Sequence, residues 1–350
     1  MAVRKAIMIL TLLLLAGNTL LANHFNTPEW WGRLVYETKP SVNNFSAIDS
    51  SIIVVTNRAL TNDKLRFVSE TTGDGKLLYF FVYAYKGKWR VLQAGNLEEA
   101  INYTPQKNNN WVVYTEGMGK IFTSELYRGM MMSSQYRVNV IMLDYPSITT
   151  TKRMYGNYKF SIHNAKVAYK YHRPVLENIK DLRLSGKLGP GKLSLFFHSM
   201  GNYLLRETFV HKKYERLNDI QWVDNLVLNA PCVPAKGHAD WLSKVRFAKR
   251  IYVHYNPEDR VLRGASLAAF ATQLGNDPGY PIVTKAQYIN FNKVVDDGHS
   301  YFLTLQGREP AQAEILRHYR IILHGDAAVL NSRYYTLSSH EKIGVDILPL

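Results

Sequence analysis

The sequence predicts an α/β protein with a mainly parallel central sheet flanked by helices. From about residue 111 onward, short, continuously apolar segments alternate with segments of helical character. Strands that are apolar along their whole length are typical of parallel sheets covered on both faces. Ahead of this region, an aromatic-rich strand, the turn Lys86-Gly87-Lys88 and a second strand predict an N-terminal antiparallel hairpin.

Residues 1–22 have the form of a secretory signal peptide. Arg4 and Lys5 precede the apolar residues 6–16, and Ala22 is a small residue at a suitable cleavage point. The apolar run is short for a membrane span, so an uncleaved anchor is the weaker alternative. We therefore expect an exported protein, periplasmic or secreted.

The rest of the chain predicts an N-terminal arm over 23–48, one α/β domain over 49–325 and a C-terminal tail over 326–350. The hydrophobic pattern predicts strands at 51–56, 77–85, 89–92, 111–114, 138–145, 193–198, 223–228, 250–255 and 287–291. It predicts helices at 96–102, 122–135, 162–183, 241–248 and 265–274. Residues 147–160 are predicted to form a polar loop with several tyrosines.

The charge balance limits the partners that we expect. The formal net charge is +15, which favours acidic partners such as anionic lipid, polysaccharide or nucleic acid. The basic residues are scattered, with small clusters at Lys212-Lys213 and Lys249-Arg250, and no nucleic-acid-binding signature occurs. We therefore expect peripheral contact with anionic surfaces at most, and no nucleic acid.

Cysteine and histidine usage argues against disulfides and metals. Cys232 is the single cysteine, so no internal disulfide can form, and its apolar context predicts a buried small residue rather than a reactive thiol. The chain has no H-E-x-x-H motif and no Cys/His cluster. We therefore expect neither a catalytic metal nor a cofactor.

Ser199 is the candidate nucleophile. It follows an apolar strand directly and precedes a helix that begins near Asn202, which is the layout of a nucleophile elbow. The strict pattern is G-x-S-x-G; this chain keeps Gly201 but has Phe197 at the first position. On this stretch alone, a structural serine at a strand end is an equally good interpretation.

Two later strand ends supply the partners of a nucleophilic serine. Asp259 and His299 follow subsequent predicted strands, and the carboxyl ends of parallel strands meet at one edge of the sheet. The order serine, acid, histidine along the chain is the one that hydrolases with an elbow serine use.

Other titratable residues leave alternatives open. Asp297, or its neighbour Asp296, could supply the acid instead of Asp259. His254 lies within a strand and is better interpreted as a packed histidine, and Asp144 as a turn residue ahead of a proline.

Four motifs in order carry a family resemblance. They are H-S-M-G-N at 198–202, A-P at 230–231, D-R-V-L at 259–262 and G-H-S-Y-F at 298–302. With them the chain resembles the α/β-hydrolase superfamily, specifically the predicted serine hydrolases of the domain of unknown function 900 type. The resemblance spans about residues 51–305 and implies an α/β-hydrolase fold.

The resemblance also implies roles for individual residues. Ser199 would attack an acyl carbonyl, His299 would accept and return its proton, and Asp259 would orient the imidazole. The backbone N–H groups of Met118 and Met200 would form the oxyanion hole.

The chain departs from the family pattern at two places. Glu116-Gly117 replaces the family's H-G in the oxyanion loop, which brings a carboxylate near a developing negative charge unless Glu116 points away or pairs with a cation. Phe197 replaces a small residue before the elbow. A catalytically degraded hydrolase acting as a binding or scaffold protein of the cell envelope is therefore the alternative.

These observations together predict an exported serine hydrolase that cleaves an ester, thioester or amide, with esterase or lipase-like activity favoured. Its expected substrate is a small-molecule or lipid-like acyl compound. The predicted loop 147–160, with Tyr155 and Tyr158, is expected to cover the pocket.

Overall fold

The computed structural model describes residues 24–349 except 62, 64, 106–107, 307–309, 339 and 341. The predicted signal peptide therefore lies outside the described residues. The described chain divides after Lys192 into two compact units, called the N-terminal unit and the C-terminal unit below.

The N-terminal unit contains eight of the described strands and four helices. The strands are β1 Leu34–Glu37, β2 Ser51–Thr56, β3 Arg58–Leu60, β4 Val68–Thr72, β5 Leu78–Tyr85, β6 Lys88–Ala94, β7 Trp111–Thr115 and β8 Asn139–Asp144. The helices are α1 Pro28–Trp31, α2 Leu97–Asn102, α3 Phe122–Tyr136 and α4 Met154–Leu184. Six strands form a sheet in the order β1-β6-β5-β2-β8-β7, and β3 pairs with β4 separately.

The predicted hairpin is confirmed as the antiparallel pair β5–β6. Lys86 and Gly87 both have positive φ, at 48° and 71°, which is the conformation that a tight hairpin turn needs. β2 pairs antiparallel with β5 on one side and parallel with β8 on the other. It therefore joins the hairpin to the parallel strands.

The N-terminal arm at 23–48, whose sequence shows no clear period and therefore predicts irregular structure, contains regular elements. The segment contains α1, and β1 pairs parallel with β6. Trp30 and Trp31 are buried, and the Phe25 ring lies 5.2 Å from the Tyr127 ring. A four-residue strand that is mostly half-buried shows no clear hydrophobic period, so the sequence pattern missed it.

The predicted loop 147–160 is also wrong beyond residue 153, because α4 begins at Met154. Tyr155 and Tyr158 are helical; Tyr155 is exposed and Tyr158 is buried. Arg153 at the N-cap makes no side-chain capping bond, so the sequence carries no start signal there. Pro174 lies inside the same helix.

The C-terminal unit contains six strands and four helices among its described residues. The strands are β9 Leu193–His198, β10 Val223–Asn229, β11 Ala248–Tyr255, β12 Ala286–Asn290, β13 Tyr335–Leu337 and β14 Val345–Ile347. The helices are α5 Asn202–Val210, α6 His238–Leu242, α7 Arg260–Ala269 and α8 Ala313–Leu323. The order is β9-β10-β11-β12-β14-β13, with only β13 antiparallel to its neighbour.

Four differences from the sequence prediction occur in this unit, the first being that helix α8 was not predicted. The helix predicted at 241–248 runs from His238 to Leu242, because residues from Ala248 onward pair with β10. The helix predicted at 265–274 begins five residues earlier, and β13 and β14 form within the predicted tail. Three-residue strands are too short for their alternation to be recognised in a sequence.

Helix α8 covers one face of β9. Ser194 Oγ donates a hydrogen bond to the carbonyl of Ile322 at 2.9 Å, and the Phe196 ring lies 6.0 Å from the Tyr319 ring. Since side chains alternate along a strand, His198 lies on the same face as Ser194 and Phe196. Within the part of the chain that the structure describes, no helix combines the length and hydropathy needed for a membrane span.

Candidate active site

Ser199 stands at the point where β9 ends. It opens a short 3₁₀ turn, Ser199–Gly201, that leads directly into α5. Its φ is +52°, a left-handed conformation that costs a non-glycine residue roughly 1–3 kcal/mol. The serine is 5% exposed. A strained serine at a strand-to-helix turn is the geometry of a nucleophile elbow.

Neighbouring groups hold this strained turn. The Asn202 amide Nδ2 donates to the carbonyl of Phe197 at 2.9 Å and to that of Ser199 at 3.0 Å. The backbone N–H of Cys232 donates to the same Ser199 carbonyl at 3.1 Å. Asn202 is fully buried, so it bridges the two sides of the turn from the interior. It is the last residue of the H-S-M-G-N motif, and its clamping role was not predicted.

Phe197 does not disturb the backbone of the elbow. The left-handed residue of the turn is Ser199, whereas Phe197 lies in the extended backbone of β9 and is fully buried. No glycine-only conformation is therefore required at position 197.

Asp259 and His299 lie in direct contact. His299 Nδ1 and Asp259 Oδ2 are 2.7 Å apart. The Asp259 side chain is fully buried, and that of His299 is 12% exposed. A carboxylate at Nδ1 fixes the tautomer that carries the proton there and leaves Nε2 as the basic nitrogen.

Asp259 has a second partner that the sequence analysis missed. Its Oδ1 accepts a hydrogen bond from the backbone N–H of Leu262 at 3.0 Å, so it is the N-cap of α7. This explains why α7 begins earlier than predicted, because Asp is a favoured capping residue. The cap fixes the rotamer of Asp259 and aims its other oxygen at His299.

The loops of Asp259 and His299 are joined by further bonds. Asn256 Nδ2 donates to the Asp296 carbonyl at 2.9 Å, and the Arg260 N–H donates to the Asp297 carbonyl at 3.1 Å. The Asp297 side chain forms an ion pair with Arg260 at the surface. Of the candidate acids, the structure thus brings Asp259 to His299, while Asp297 has a different partner.

Cys232 is buried, as predicted. Burial raises the pKa of its thiol to about 12, and the negative charge of Asp259 adds to the effect. The group is therefore a neutral thiol at physiological pH, and its contribution to the site is the backbone N–H that binds Ser199.

Glu116 pairs with cations in the N-terminal unit. Its Oε1 accepts hydrogen bonds from Arg128 Nε and Tyr114 OH, and its Oε2 accepts from the Gly117 N–H at 2.9 Å. Lys120 Nζ lies 3.7 Å from Oε2. The carboxylate is 1% exposed, and its charge is compensated where it stands. Met118 follows in the same loop and is 7% exposed; its oxyanion role stays a prediction.

The remaining candidates, Asp144 and His254, have buried polar partners, and Asp144 is the last residue of β8 rather than a turn residue. Asp144 forms a buried bidentate ion pair with Arg58, with Nε–Oδ2 and Nη2–Oδ1 distances of 2.7 and 3.0 Å. His254 is fully buried among polar partners, as expected for a packed histidine. Across the described residues, no group of three or more His, Cys, Asp or Glu side chains is arranged to hold a metal ion.

The mostly parallel strands and their flanking helices agree with the α/β-hydrolase class of proteins. The chain belongs to the family described as "Alpha/beta hydrolase of unknown function (DUF900)", whose model matches residues 93–292. This confirms the predicted fold class and the resemblance that the motifs carried. The matched range includes Ser199 and Asp259 and ends before His299.

Among the solved structures that match this chain is one of low sequence identity. The crystal structure of BES protein from Bacillus cereus is 11% identical, with a TM-score of 0.30, covering 83% of this chain and 98% of that one. No curated protein matches the chain.

Proposed function

We propose that the protein is a serine hydrolase that cleaves an ester, thioester or amide through an acyl-enzyme on Ser199. The observation that supports this most strongly is the 2.7 Å contact between a buried Asp259 and His299, in the same unit as a serine held in an elbow turn. The family assignment supports hydrolase chemistry in general.

The proposed mechanism gives each group one task. Asp259 holds the His299 imidazole with its proton on Nδ1, so that Nε2 accepts the Ser199 proton as Oγ attacks the acyl carbonyl. The imidazolium then returns that proton to the leaving group, and water repeats the sequence to release the acid. Asp259 also stabilises the imidazolium while it lasts.

The oxyanion donors in this proposal are the backbone N–H groups of Met200 and Met118. Met200 is the residue after the nucleophile, which is the usual first donor in this fold. Removing one such donor typically costs about 10²–10³ in rate. Glu116, where this chain departs from the family's loop motif, pairs with Arg128, so its negative charge is compensated within the N-terminal unit.

A small cavity lies beside His299, and Ser199 is not among the residues that line it. Its volume is about 290 Å³, near the lower end for ligand sites. Apolar side chains, among them Val294, Leu303 and Ile315, line it together with His299. We propose esterase or lipase-like activity on a small-molecule or lipid-like acyl compound, because the sequence contains no recognisable peptide-binding subsite.

The decisive experiment is labelling with a serine-reactive fluorophosphonate. We expect the wild type to be labelled and Ser199→Ala to lose all labelling, while Ser243→Ala, at an exposed serine, is labelled like the wild type. A folded wild-type protein that resists the probe would contradict the proposal and favour the envelope scaffold as the alternative function.

Export and surface contact are separate proposals. The form of residues 1–22 supports export, and the mass of the protein expressed in its host tests it, since cleavage after Ala22 removes a defined segment. The net charge of +15 supports contact with anionic surfaces. Binding to anionic vesicles should fall steeply with added salt, and salt-independent binding would argue against an electrostatic contact.

A further inference from the structure

Three polar residues lie side by side on adjacent parallel strands beneath the elbow. His198 of β9 is in register with Asn229 of β10, and Asn229 is in register with His254 of β11. Each is at most 1% exposed. Buried polar groups on neighbouring strands are costly unless they satisfy one another, so their hydrogen bonds need a full account.

These residues form a continuous hydrogen-bonded chain that reaches β13. Asn229 Nδ2 lies 3.0 Å from His198 Nδ1, and Asn229 Oδ1 lies 3.1 Å from His254 Nδ1. His254 Nε2 lies 3.1 Å from Nε2 of His318 in α8. His318 Nδ1 lies 2.9 Å from the hydroxyl of Tyr335 in β13.

The donor and acceptor groups allow only one assignment of donor and acceptor to each hydrogen bond in this chain. Asn229 Nδ2 can only donate, so His198 Nδ1 accepts and the His198 proton is on Nε2. Asn229 Oδ1 can only accept, so the proton of His254 is on Nδ1 and its Nε2 accepts from His318. His318 Nδ1 then accepts from Tyr335. Every imidazole in the chain is satisfied as a neutral ring.

Tyr319 contacts two residues at the centre of the hydrogen-bonded chain. Its hydroxyl donates to Asn229 Oδ1 and lies 3.2 Å from His254 Nδ1. Burial lowers the pKa of His254 well below its usual range and that of His318 to about 3. His254 and His318, toward the other end of the hydrogen-bonded chain, are therefore uncharged at physiological pH.

The His198 end of the hydrogen-bonded chain contacts the loop that carries His299. His198 Nε2 lies 3.3 Å from Oγ of Ser300, the residue after His299, so in the Nε2–H tautomer it can donate a hydrogen bond to that hydroxyl. The rings of His198 and His299 are 4.7 Å apart and tilted by 40°. His198 thus holds the His299 loop by a hydrogen bond and packs against the imidazole by its ring.

We propose that His198 is a positioning residue for His299, held in its neutral Nε2–H form by Asn229. This inference rests on the proposed serine-hydrolase function. Neutrality has a physical reason, because His299 must become an imidazolium during the reaction and a second positive charge 4.7 Å away would oppose it. The amide of Asn229 prevents this competition, since it occupies Nδ1 with a donor.

The first test is the protonation state of His198 in the full-length wild type, labelled with ¹⁵N-histidine. Long-range ¹H–¹⁵N spectra should show a protonated Nε2 and an unprotonated Nδ1 for His198 at neutral pH. Assignment comes from the signal lost in His198→Gln. A protonated Nδ1 would overturn the proposal whether or not the protein is a hydrolase.

The second test compares two amide substitutions at position 198. Gln places its NH₂ near the position of Nε2 and can still donate to Ser300, whereas Asn places its NH₂ near Nδ1 and cannot. We expect the fluorophosphonate labelling rate to fall about 10-fold to 100-fold in His198→Asn and in Ser300→Ala, and to stay within about 3-fold in His198→Gln.

His238→Gln is the matched control. His238 is also buried in the C-terminal unit, with its ring nitrogens 2.8 Å from the Ala235 carbonyl and from Tyr288 OH. Its substitution should leave the labelling rate unchanged. Ser300→Ala, at a half-buried position, keeps the test informative if His198→Asn does not fold.

The outcomes separate the two proposals. A folded wild type that is not labelled would overturn the proposed function and the positioning role with it. Normal wild-type labelling with equal rates in His198→Gln and His198→Asn, or with an unaffected Ser300→Ala, would overturn the positioning role alone.

Discussion

The N-terminal and C-terminal units each contain a buried polar network, and the two networks differ in charge. The N-terminal unit buries full charges as ion pairs, Arg58 with Asp144 and Arg128 with Glu116. The C-terminal unit buries neutral imidazoles, an amide and phenols as one directional chain from His198 to Tyr335. Each arrangement satisfies its members, but they respond differently to mutation and to pH.

This difference in charge bears on the reaction proposed for the active site. A buried ion pair keeps its charge over a wide pH range, and it fixes geometry at the cost of desolvating two ions. A neutral chain carries no charge that could oppose the imidazolium forming on His299. In the N-terminal unit, the buried carboxylate of Glu116 is instead compensated by the positive charge of Arg128.

The largest effect is expected from breaking the buried pair of the N-terminal unit. Arg58→Met leaves Asp144 charged and buried, and we expect a loss of about 3–5 kcal/mol in the free energy of unfolding. Urea denaturation of the variant measures it. Because Arg58→Met with Asp144→Leu removes both charges, the double variant should lose less than the single one.

An exposed pair in the same unit is the control. Lys187 and Glu98 form an ion pair with side chains 49% and 44% exposed, so Lys187→Met should cost about 0–1 kcal/mol. Equal losses for Arg58→Met and Lys187→Met would show that burial does not set the cost.

The second effect concerns acid stability. The pKa of His318 is about 3 in the folded state, below its usual 6.5, because burial disfavours the charged ring. As the pH falls, the unfolded protein therefore binds a proton on His318 before the folded protein does. The free energy of unfolding decreases from about pH 6.5 toward pH 3, by up to about 1.4 kcal/mol per pH unit. Unfolding in urea between pH 7 and 5 should show a shallower slope in His318→Gln than in the wild type.

His163→Gln, at an exposed histidine of α4, controls for the loss of a surface imidazole. The wild-type slope should persist in this variant. Identical slopes in all three proteins would mean that His318 does not titrate in the way that its burial implies.

Much of the fold could be predicted because buried parallel strands carry a strong signal. β8, β9 and β10 are buried at every position, and each was predicted to within one or two residues from its continuous apolar run. Asp259 and His299 could be proposed as partners because each follows a strand end, where parallel topology brings side chains together.

Other features depend on information that a sequence does not carry. The start of α4 has no side-chain cap, and β13 and β14 have three residues each. The hydrogen-bonded chain beneath the elbow depends on the register of the strands. Asn229 is 31 residues after His198 and 25 residues before His254, and only strand pairing places the three side chains side by side. His254 could be predicted to be packed, but its partners could not.

The third effect tests the far end of the neutral chain. Tyr335→Phe removes the donor to His318 Nδ1 and leaves a buried acceptor unsatisfied, so we expect a loss of about 1–3 kcal/mol in unfolding free energy. Tyr334→Phe, next to it, removes a hydroxyl that accepts from Arg333 at the surface and should be nearly neutral. A Tyr335→Phe variant as stable as Tyr334→Phe would show that the hydrogen-bonded chain ends before it reaches β13.

The smallest effect is expected at Cys232, whose side chain belongs to neither type of network. Because burial raises the pKa of the thiol to about 12, iodoacetamide should modify the native protein hardly at all at neutral pH and should react fully once urea unfolds it. Cys232→Ala keeps the backbone N–H that binds the Ser199 carbonyl, so its fluorophosphonate labelling rate should match the wild type within about 3-fold. Rapid modification of the native thiol, or loss of labelling in Cys232→Ala, would instead assign the sulfur a direct part in the site.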